Sequence, residues 1–160
     1  MHNLDLEARV HSEHPEALRL WLRLLTCTQL IERQVRTGLR ERFDTTLPRF
    51  DLMAQLERHP EGLKMKELSH RLMVTGGNIT GITNQLEAEG LVERVEVADD
   101  RRAFRVRLTP AGHATFAAMA QAHEAWIVHA FEGLTPTDMD RLHQLLGQVK
   151  QQQRQRLRRP

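Results

Sequence analysis

Apolar residues recur along this chain with two different spacings, which divide it into six helical segments and one β-hairpin. In the helical segments an apolar residue returns every three or four positions, which is typical of helices with one buried face. The predicted helices span about residues 15–43, 47–59, 64–73, 75–90, 110–131 and 136–150. The second is expected to bury Leu47, Phe50, Leu52, Met53 and Leu56, and the sixth to begin with a capping box formed by Thr135 and Asp138. The first helix is apolar over so much of its surface that one neighbour cannot cover it, so we expect a second subunit there.

Strict alternation of apolar and polar residues predicts the two strands of the hairpin, at about 92–97 and 104–109. The loop between them, 98–103, has the sequence ADDRRA and is expected to form a basic tip. Adjacent arginines at a loop tip suit the narrow minor groove of DNA, where negative potential is concentrated. Asp100 is placed to hold Arg101 or Arg102 through a paired hydrogen bond. The alternative is an ordinary solvated turn.

The stretch from Thr75 to Gly90 has an unusual polar face for a helix. Thr75 is expected to cap its first turn, and Gly90 to end it in a left-handed conformation. The predicted apolar stripe consists of Ile79, Ile82 and Leu86. No charged residue occurs between Thr75 and Gln85, and a short uncharged face suits close approach to the major groove. With the short helix before it, this stretch predicts a helix-turn-helix; the alternative is a poor amphipathic helix whose glycines pack against neighbours.

Composition adds few constraints to this picture. The chain has 160 residues, enough for one domain with appended helices, and a net charge of +2. Arginine outnumbers lysine by 20 to 3, which favours contacts with phosphates and base edges, although coding bias produces the same excess. The single cysteine, Cys27, excludes an internal disulfide. Since neither a signal peptide nor a transmembrane segment is recognisable, we expect a cytoplasmic protein without a membrane partner.

These motifs resemble the MarR family, the winged-helix regulators of the multiple-antibiotic-resistance type. The resemblance covers residues 18–150 and is carried by TGGNITGITNQLEAEGLVER, by DDRRAFRVRLTPAG and by the order of six helices around one hairpin. It implies a mainly α fold, a winged helix-turn-helix with a helical dimerisation domain. It also implies a homodimer that binds a pseudo-palindromic double-stranded operator, usually as a repressor, and releases it when a small ligand or an oxidant arrives.

The resemblance also implies a division of the chain. Residues 1–14 would be a flexible arm, 15–44 and 110–152 the dimerisation region, 45–109 the winged helix-turn-helix, and 153–160 a basic tail. By position, the residues expected to face bases and phosphates are Thr75, Gly76, Gly77, Asn78, Thr80, Gly81, Thr83 and Asn84, with Asp100, Arg101 and Arg102 in the wing.

Three segments, LRLWLRLLTCTQLIER, TTLPRFDLMAQLER and AQAHEAWI, resemble the branch of the family associated with breakdown of aromatic and hydroxycinnamic acids. This narrower resemblance implies an effector that is an aromatic acid or its coenzyme A thioester, bound between the dimer domain and the winged helix. Arg19, Arg23 or Arg49 would supply a cation for an anionic effector. The expected wall residues are Trp21, Leu25, Phe50, Asp51, Phe116 and His123.

Catalysis, metal binding and redox sensing are the alternatives to a DNA-binding regulator. No phosphate loop, nucleophile elbow or plausible carboxylate pair is present, so we expect no enzyme activity and no cofactor. The nine histidines show no metal-ligand spacing, and no metal site is expected within one chain. We expect Cys27 to be a buried, inert thiol, with a redox-sensing regulator as the alternative. A winged helix that binds only protein is the other alternative.

Overall fold

The computed structural model describes residues 15–72, 76–97 and 100–158, with side chains at all of these except 76–77, 97 and 100–103. Six helices and three strands follow one another in the order α1 (Pro15–Phe43), α2 (Leu47–Glu57), β1 (Leu63–Lys64), α3 (Met65–Leu72), α4 (Gly76–Ala88), β2 (Val92–Val97), β3 (Asp100–Leu108), α5 (Pro110–Ala130) and α6 (Pro136–Leu157). The predicted order of six helices around one hairpin is confirmed. The chain divides after Glu124 into two compact units, which are described separately.

The core of the first unit is built by α2, α3, α4 and the sheet. Apolar side chains from each of these elements are withdrawn from solvent because helices this short are stable only when their apolar faces are covered. The fully buried members are Leu52, Met53, Leu56, Leu68, Ile79, Leu86, Val92 and Val106. Leu39 of α1 and Met119 of α5 are buried as well. The predicted apolar residues of α2 and α4 are therefore confirmed as core, except that Leu47 is only half-buried.

The sheet has three antiparallel strands in the order β1-β3-β2, one more than the sequence predicted. Strand β1 is only two residues long, too short for alternation to reveal it, and it pairs Leu63 with Val106. Strand β3 begins at Asp100, where a loop was expected, and Val97 pairs with Asp100. The predicted six-residue basic tip is thus wrong. Arg101 and Arg102 belong to β3, at the register shift between the pairs Glu96–Phe104 and Val97–Asp100.

Helix α6 begins with the predicted capping box. The hydroxyl oxygen of Thr135 accepts a hydrogen bond from the N–H of Asp138 at 3.2 Å, and the Thr135 N–H donates to the Asp138 carboxylate at 3.2 Å. The helix ends at Leu157, so the expected basic tail over 153–160 is instead largely helical. Its sequence, rich in glutamine and arginine, explains this, since both residues are good helix formers.

An apolar seam along α6 is partly exposed. Between 38% and 51% of each seam side chain is exposed, whereas such residues are usually buried. The seam consists of Met139, Leu142, Leu145, Leu146 and Val149. Within the described ranges no helix combines the length and the hydrophobicity that crossing a bilayer requires.

Candidate functional site

Helix α4 has one buried face and one exposed face, as its sequence predicted. Ile79 and Leu86 are fully buried and Ile82 is nearly so. The exposed positions carry no charge and consist of Asn78, Thr80, Gly81, Asn84 and Gln85. A helix that offers hydrogen-bonding groups without charge, and whose glycine lets a partner approach closely, fits a groove better than it fits bulk water.

Thr83 does not belong to this exposed face, and its expected contact with DNA is wrong. Its side chain is fully buried, and its hydroxyl donates to the sulfur of Met65 at 3.8 Å. The reason is helical geometry: Thr83 lies one turn beyond Ile79 and therefore shares its buried face. Thr83 therefore connects α4 to α3 and does not contact a base.

Several expected DNA contacts fall where the side chains are not described. Thr75 lies outside the described residues, and with it the predicted cap of α4. The backbone places Gly76 and Gly77 in the first turn of α4. The wing residues Asp100, Arg101 and Arg102 begin β3, and the contact expected between Asp100 and a guanidinium also lies outside the described side chains.

The carboxyl end of α4 is fixed by a backbone motif and by an ion pair. Gly90 has a φ of +71°, its N–H donates to Glu87, and the Leu91 N–H donates to Leu86 at 2.9 Å, as in a Schellman motif. The predicted left-handed glycine is therefore confirmed. Just before it, Glu89 pairs with Arg49 of α2. The helix that carries the exposed polar face is held against the core at this end.

Arg94 of strand β2 connects the wing to α4. It pairs across the hairpin with Val106, and its guanidinium lies 5.1 Å from the ring centre of Phe104 on the same face of the sheet. The guanidinium forms an ion pair with Glu87 of α4. Its Nη2 also donates to the Oδ1 of Asn84 at 2.5 Å. Strand and helix thus share one network of polar contacts, which sequence spacing could not reveal because Arg94 looks like any other strand residue.

The opposite face of the hairpin carries two more arginines, both with partners. Arg107 donates to Glu93 at 2.7 Å, the residue it pairs with across the strands. Arg105 donates to the carbonyl oxygen of Gly62 at 2.9 Å, which joins β3 to the turn before β1. These two arginines fix the hairpin, so charge at the wing does not by itself identify a residue that contacts DNA.

Half of the predicted effector wall comes together around Phe50. The ring centres of Phe50 and Phe116 are 5.5 Å apart, and those of Phe50 and His123 are 5.0 Å apart. Asp51 lies beside this cluster: burial raises the pKa of its carboxyl, and Glu32 adds to that rise, while His123 and Arg36 oppose it. Phe50 itself is 6% exposed and belongs to the core.

The other two predicted wall residues, Trp21 and Leu25, are partly open to solvent. Trp21 is 57% exposed and Leu25 only half-buried. A pocket of about 300 Å³ instead has Asp51 in its wall, together with residues that the sequence did not predict as effector contacts. Its walls are Glu32, Arg36, Leu47, Pro48, Asp51, Leu72, Ile79 and Ile82. The pocket therefore borders the buried stripe of α4.

Cys27 and the histidines are the candidates for a redox site and a metal site. Cys27 is exposed among the described residues, so the expected burial is wrong. Among the described residues, no three His, Cys, Asp or Glu side chains come together in a group that could hold a metal ion.

Comparison with known proteins decides the family. The sequence model of the MarR family matches residues 43–103. A crystal structure of a MarR family transcriptional regulator from Silicibacter pomeroyi is 31% identical, with a TM-score of 0.74 over 89% of this chain and 99% of that one. The chain belongs to the MarR family. The relatives that match it are described as transcriptional regulators.

Two further relatives are a MarR protein crystallised with DNA and a transcriptional repressor. An E. coli MarR mutant, crystallised with operator DNA, has a TM-score of 0.73 over 87% of this chain and 99% of that one; at 24% identity it supports the fold alone. The transcriptional repressor IacR of Pseudomonas putida is 27% identical over 76% of this chain and 70% of its own length. Two of the curated Bacillus regulators match at 31–32% identity, but over only 54–61% of their length.

Proposed function

We propose that this MarR-family chain is a homodimeric repressor that binds a pseudo-palindromic operator and releases it when a small effector binds. The observation that carries the proposal is the exposed, uncharged face of α4, which is fixed to the wing by Arg94. Recognition helices of this type enter the major groove with their amino-terminal half leading. The name of the P. putida relative supports repression as the direction of control.

The proposed DNA contacts are those of the sequence prediction without Thr83. On and before α4 they are Thr75, Gly76, Gly77, Asn78, Thr80, Gly81 and Asn84. In the wing Arg101 and Arg102 would reach the minor groove beside Asp100. Arg105 keeps its bond to the Gly62 carbonyl, and Arg107 keeps its pair with Glu93. Phosphate contacts fix the register, and base contacts carry the sequence preference.

A homodimer is proposed because apolar side chains of α1 and α6 are exposed in the part of the chain that the structure describes. On α1 the exposed fraction reaches 57% at Leu20 and Trp21, and α6 presents the seam described above. Exposed apolar residues in such continuous rows mark interaction surfaces. We assign residues 15–44 and 110–157 to the dimer region and 45–109 to the winged helix-turn-helix.

The effector is proposed to bind in the pocket beside Asp51. A ligand there contacts Ile79 and Ile82, so it can favour a position of α4 that does not fit the operator. For an aromatic acid or its coenzyme A thioester, Leu47, Leu72 and Ile79 supply an apolar wall. Two carboxylates and one cation line the pocket, however. An anion would therefore bind only by taking Arg36 from Glu32, whose charged atoms are 3.6 Å apart. Arg49 is already paired with Glu89.

The test is a titration of fluorescent DNA from upstream of the protein's own gene, followed by anisotropy. Affinity is expected to fall steeply with salt, because cations are released when arginines neutralise phosphates. The titration is repeated with p-coumaroyl- and feruloyl-coenzyme A and with the free acids. Release by one of these supports the aromatic effector; binding that none disturbs removes it and leaves the regulator. Absence of specific binding to that DNA and to a randomised pool would contradict the operator proposal.

A further inference from the structure

We propose that Arg94 fixes the amide of Asn84 so that α4 reads a base edge made of hydrogen-bond acceptors, guanine above all, at one position of each half-site. The inference rests on the proposed function, because Asn84 can read a base only if α4 enters the major groove. What it adds is a positioning residue in the wing and a base preference for one residue of the helix.

The orientation of the Asn84 amide follows from chemistry. An arginine side chain has only donors, so the atom of Asn84 that faces Nη2 of Arg94 at 2.5 Å must be the carbonyl oxygen. The amide nitrogen, with two N–H donors, is then turned away from the arginine. Among the described residues it has no hydrogen-bond partner, and the side chain is exposed. Asn84 also shares its face of the helix with Thr80 and Gly81.

The guanidinium that imposes this orientation is itself held in place. Glu87, one turn along α4, binds its other amino group, and the ring of Phe104 lies against it. The Arg94 side chain is only 28% exposed, so water screens this charge poorly. Arg94 therefore cannot swing away from Asn84 without giving up an ion pair and a ring contact.

The base preference follows from which amide groups remain available. Asparagine commonly reads adenine with two bonds, one from its amide N–H to N7 and one to its oxygen from the adenine amino group. Here the oxygen already accepts from a cation, and the adenine amino group would approach beside that positive charge. Guanine presents two adjacent acceptors, N7 and O6, and no donor at that edge. The free amide donors of Asn84 thus match guanine and disfavour adenine and cytosine.

The experiment selects bound sequences from a pool of duplex DNA with a randomised central segment, and then measures affinity for the four base pairs at each selected position. The wild type is expected to prefer guanine over adenine by about tenfold at one position of each half-site. Asn84→Ala should abolish the preference there and at no other position. Asn84→Asp keeps an acceptor for Arg94 but lacks donors, so its preference should move to cytosine, which offers an amino group.

Arg94→Met tests the positioning role, since it frees the amide to rotate and should move the preference towards adenine. Arg107→Met is the matched control, because Arg107 pairs with Glu93 on the opposite face of the hairpin and does not contact Asn84; its base preference should equal that of the wild type. If circular dichroism finds Arg94→Met unfolded, Arg94→Lys takes its place with the same expectation, since it keeps a charge for Glu87 and loses the second arm of the guanidinium.

Each contrary result has its own meaning. A wild-type preference for adenine, or a preference that Asn84→Ala leaves intact, overturns the reading by Asn84. A folded Arg94 variant with undiminished guanine preference overturns the positioning role. If the wild type enriches no sequence at all, the proposed operator binding fails first, and this inference falls with it.

Discussion

Gly112 lies against the carbonyl group of Leu91 more closely than any residue with a Cβ atom permits. The same carbonyl oxygen accepts a hydrogen bond from the Thr109 N–H at 3.1 Å. The hydroxyl group of Thr109 donates to Gly90 at 2.6 Å and accepts from the Gly112 N–H at 3.0 Å. The Thr-Pro-Ala-Gly segment after the wing therefore docks the first turn of α5 on the chain that follows α4.

Replacing Gly112 with alanine should destabilise the protein, because the new methyl group meets backbone that cannot move without breaking the bond to Thr109. Overpacking of this kind costs about 1–3 kcal/mol, read as a lower midpoint of urea unfolding. Gly147→Ala is the matched control: Gly147 lies within α6, and a Cβ there meets nothing within 4 Å. Greater helix propensity should leave that variant equal to the wild type or about 1 kcal/mol more stable. Equal stability of the two variants would contradict the close approach at Leu91.

Gly81→Ala should change stability and operator affinity in opposite directions. A Cβ atom at Gly81 meets nothing within 4 Å, and alanine favours an exposed helix by about 1 kcal/mol, so the unfolding midpoint should rise. The same methyl group would stand on the face proposed to enter the major groove, where it should weaken operator binding by at least about fivefold. Unfolding and anisotropy measured on the same preparation separate the two effects. A gain in stability with unchanged affinity would remove Gly81 from the interface.

The pH dependence of stability should report on Asp51. Burial and the neighbouring Glu32 raise the pKa of this carboxyl above its ordinary value of 3.8, so folding favours its neutral form. The resulting stabilisation is fully present below the unfolded pKa and is lost as pH rises through the folded one. Asp51→Asn removes that loss, so the variant should exceed the wild type in unfolding free energy at neutral pH, and the difference should shrink towards pH 3.8. A constant difference across this range would contradict the assignment to Asp51.

The sequence predicted the secondary structure well where one rule governs a segment. The capping box at Thr135, the left-handed Gly90 and the stripe that ends at Leu86 are local patterns, and all three are confirmed. The errors lie where distant contacts decide. Thr83 is buried against Met65, a residue 18 positions earlier, and β1 exists only because Leu63 meets Val106.

The same distinction between local patterns and distant contacts applies to the candidate site. An uncharged helix face can be recognised from spacing alone, and so can a helix-turn-helix followed by a hairpin. The link between Asn84 and Arg94 cannot, because it depends on how β2 lies against α4. The effector pocket escaped prediction for a similar reason. It is lined by Arg36 of α1, to which the sequence assigned no role, and by Ile79 of α4, which was predicted only as part of the buried stripe.

Arg102→Ala should weaken operator binding by about 1–3 kcal/mol at moderate salt, if this arginine enters the minor groove as proposed. The slope of affinity against salt should fall as well, because one cation fewer is displaced. Arg107→Ala is the matched control from the same strand, since Arg107 pairs with Glu93 across the hairpin. It should leave the salt slope nearly unchanged. Equal losses in the two variants would point to general wing charge instead of a specific contact.

The seam of α6 offers the most direct test of the dimer. Leu145 is 51% exposed in a single chain and lies in the middle of the seam. If a second copy covers it, Leu145→Glu would bury a carboxylate without a partner, which is strongly unfavourable. We expect sedimentation equilibrium to give a dimer dissociation constant at least about tenfold higher than that of the wild type. Operator affinity should fall with it.

Gln144→Glu provides the matched control for this charge. Gln144 is exposed and lies on the side of α6 opposite the seam, so the same carboxylate there stays in water. That variant should dimerise like the wild type, with unchanged operator affinity. A Leu145→Glu protein that remains fully dimeric would show that α6 is not covered by a second copy. A wild type that sediments as a monomer and still binds a palindromic site would contradict the dimer itself.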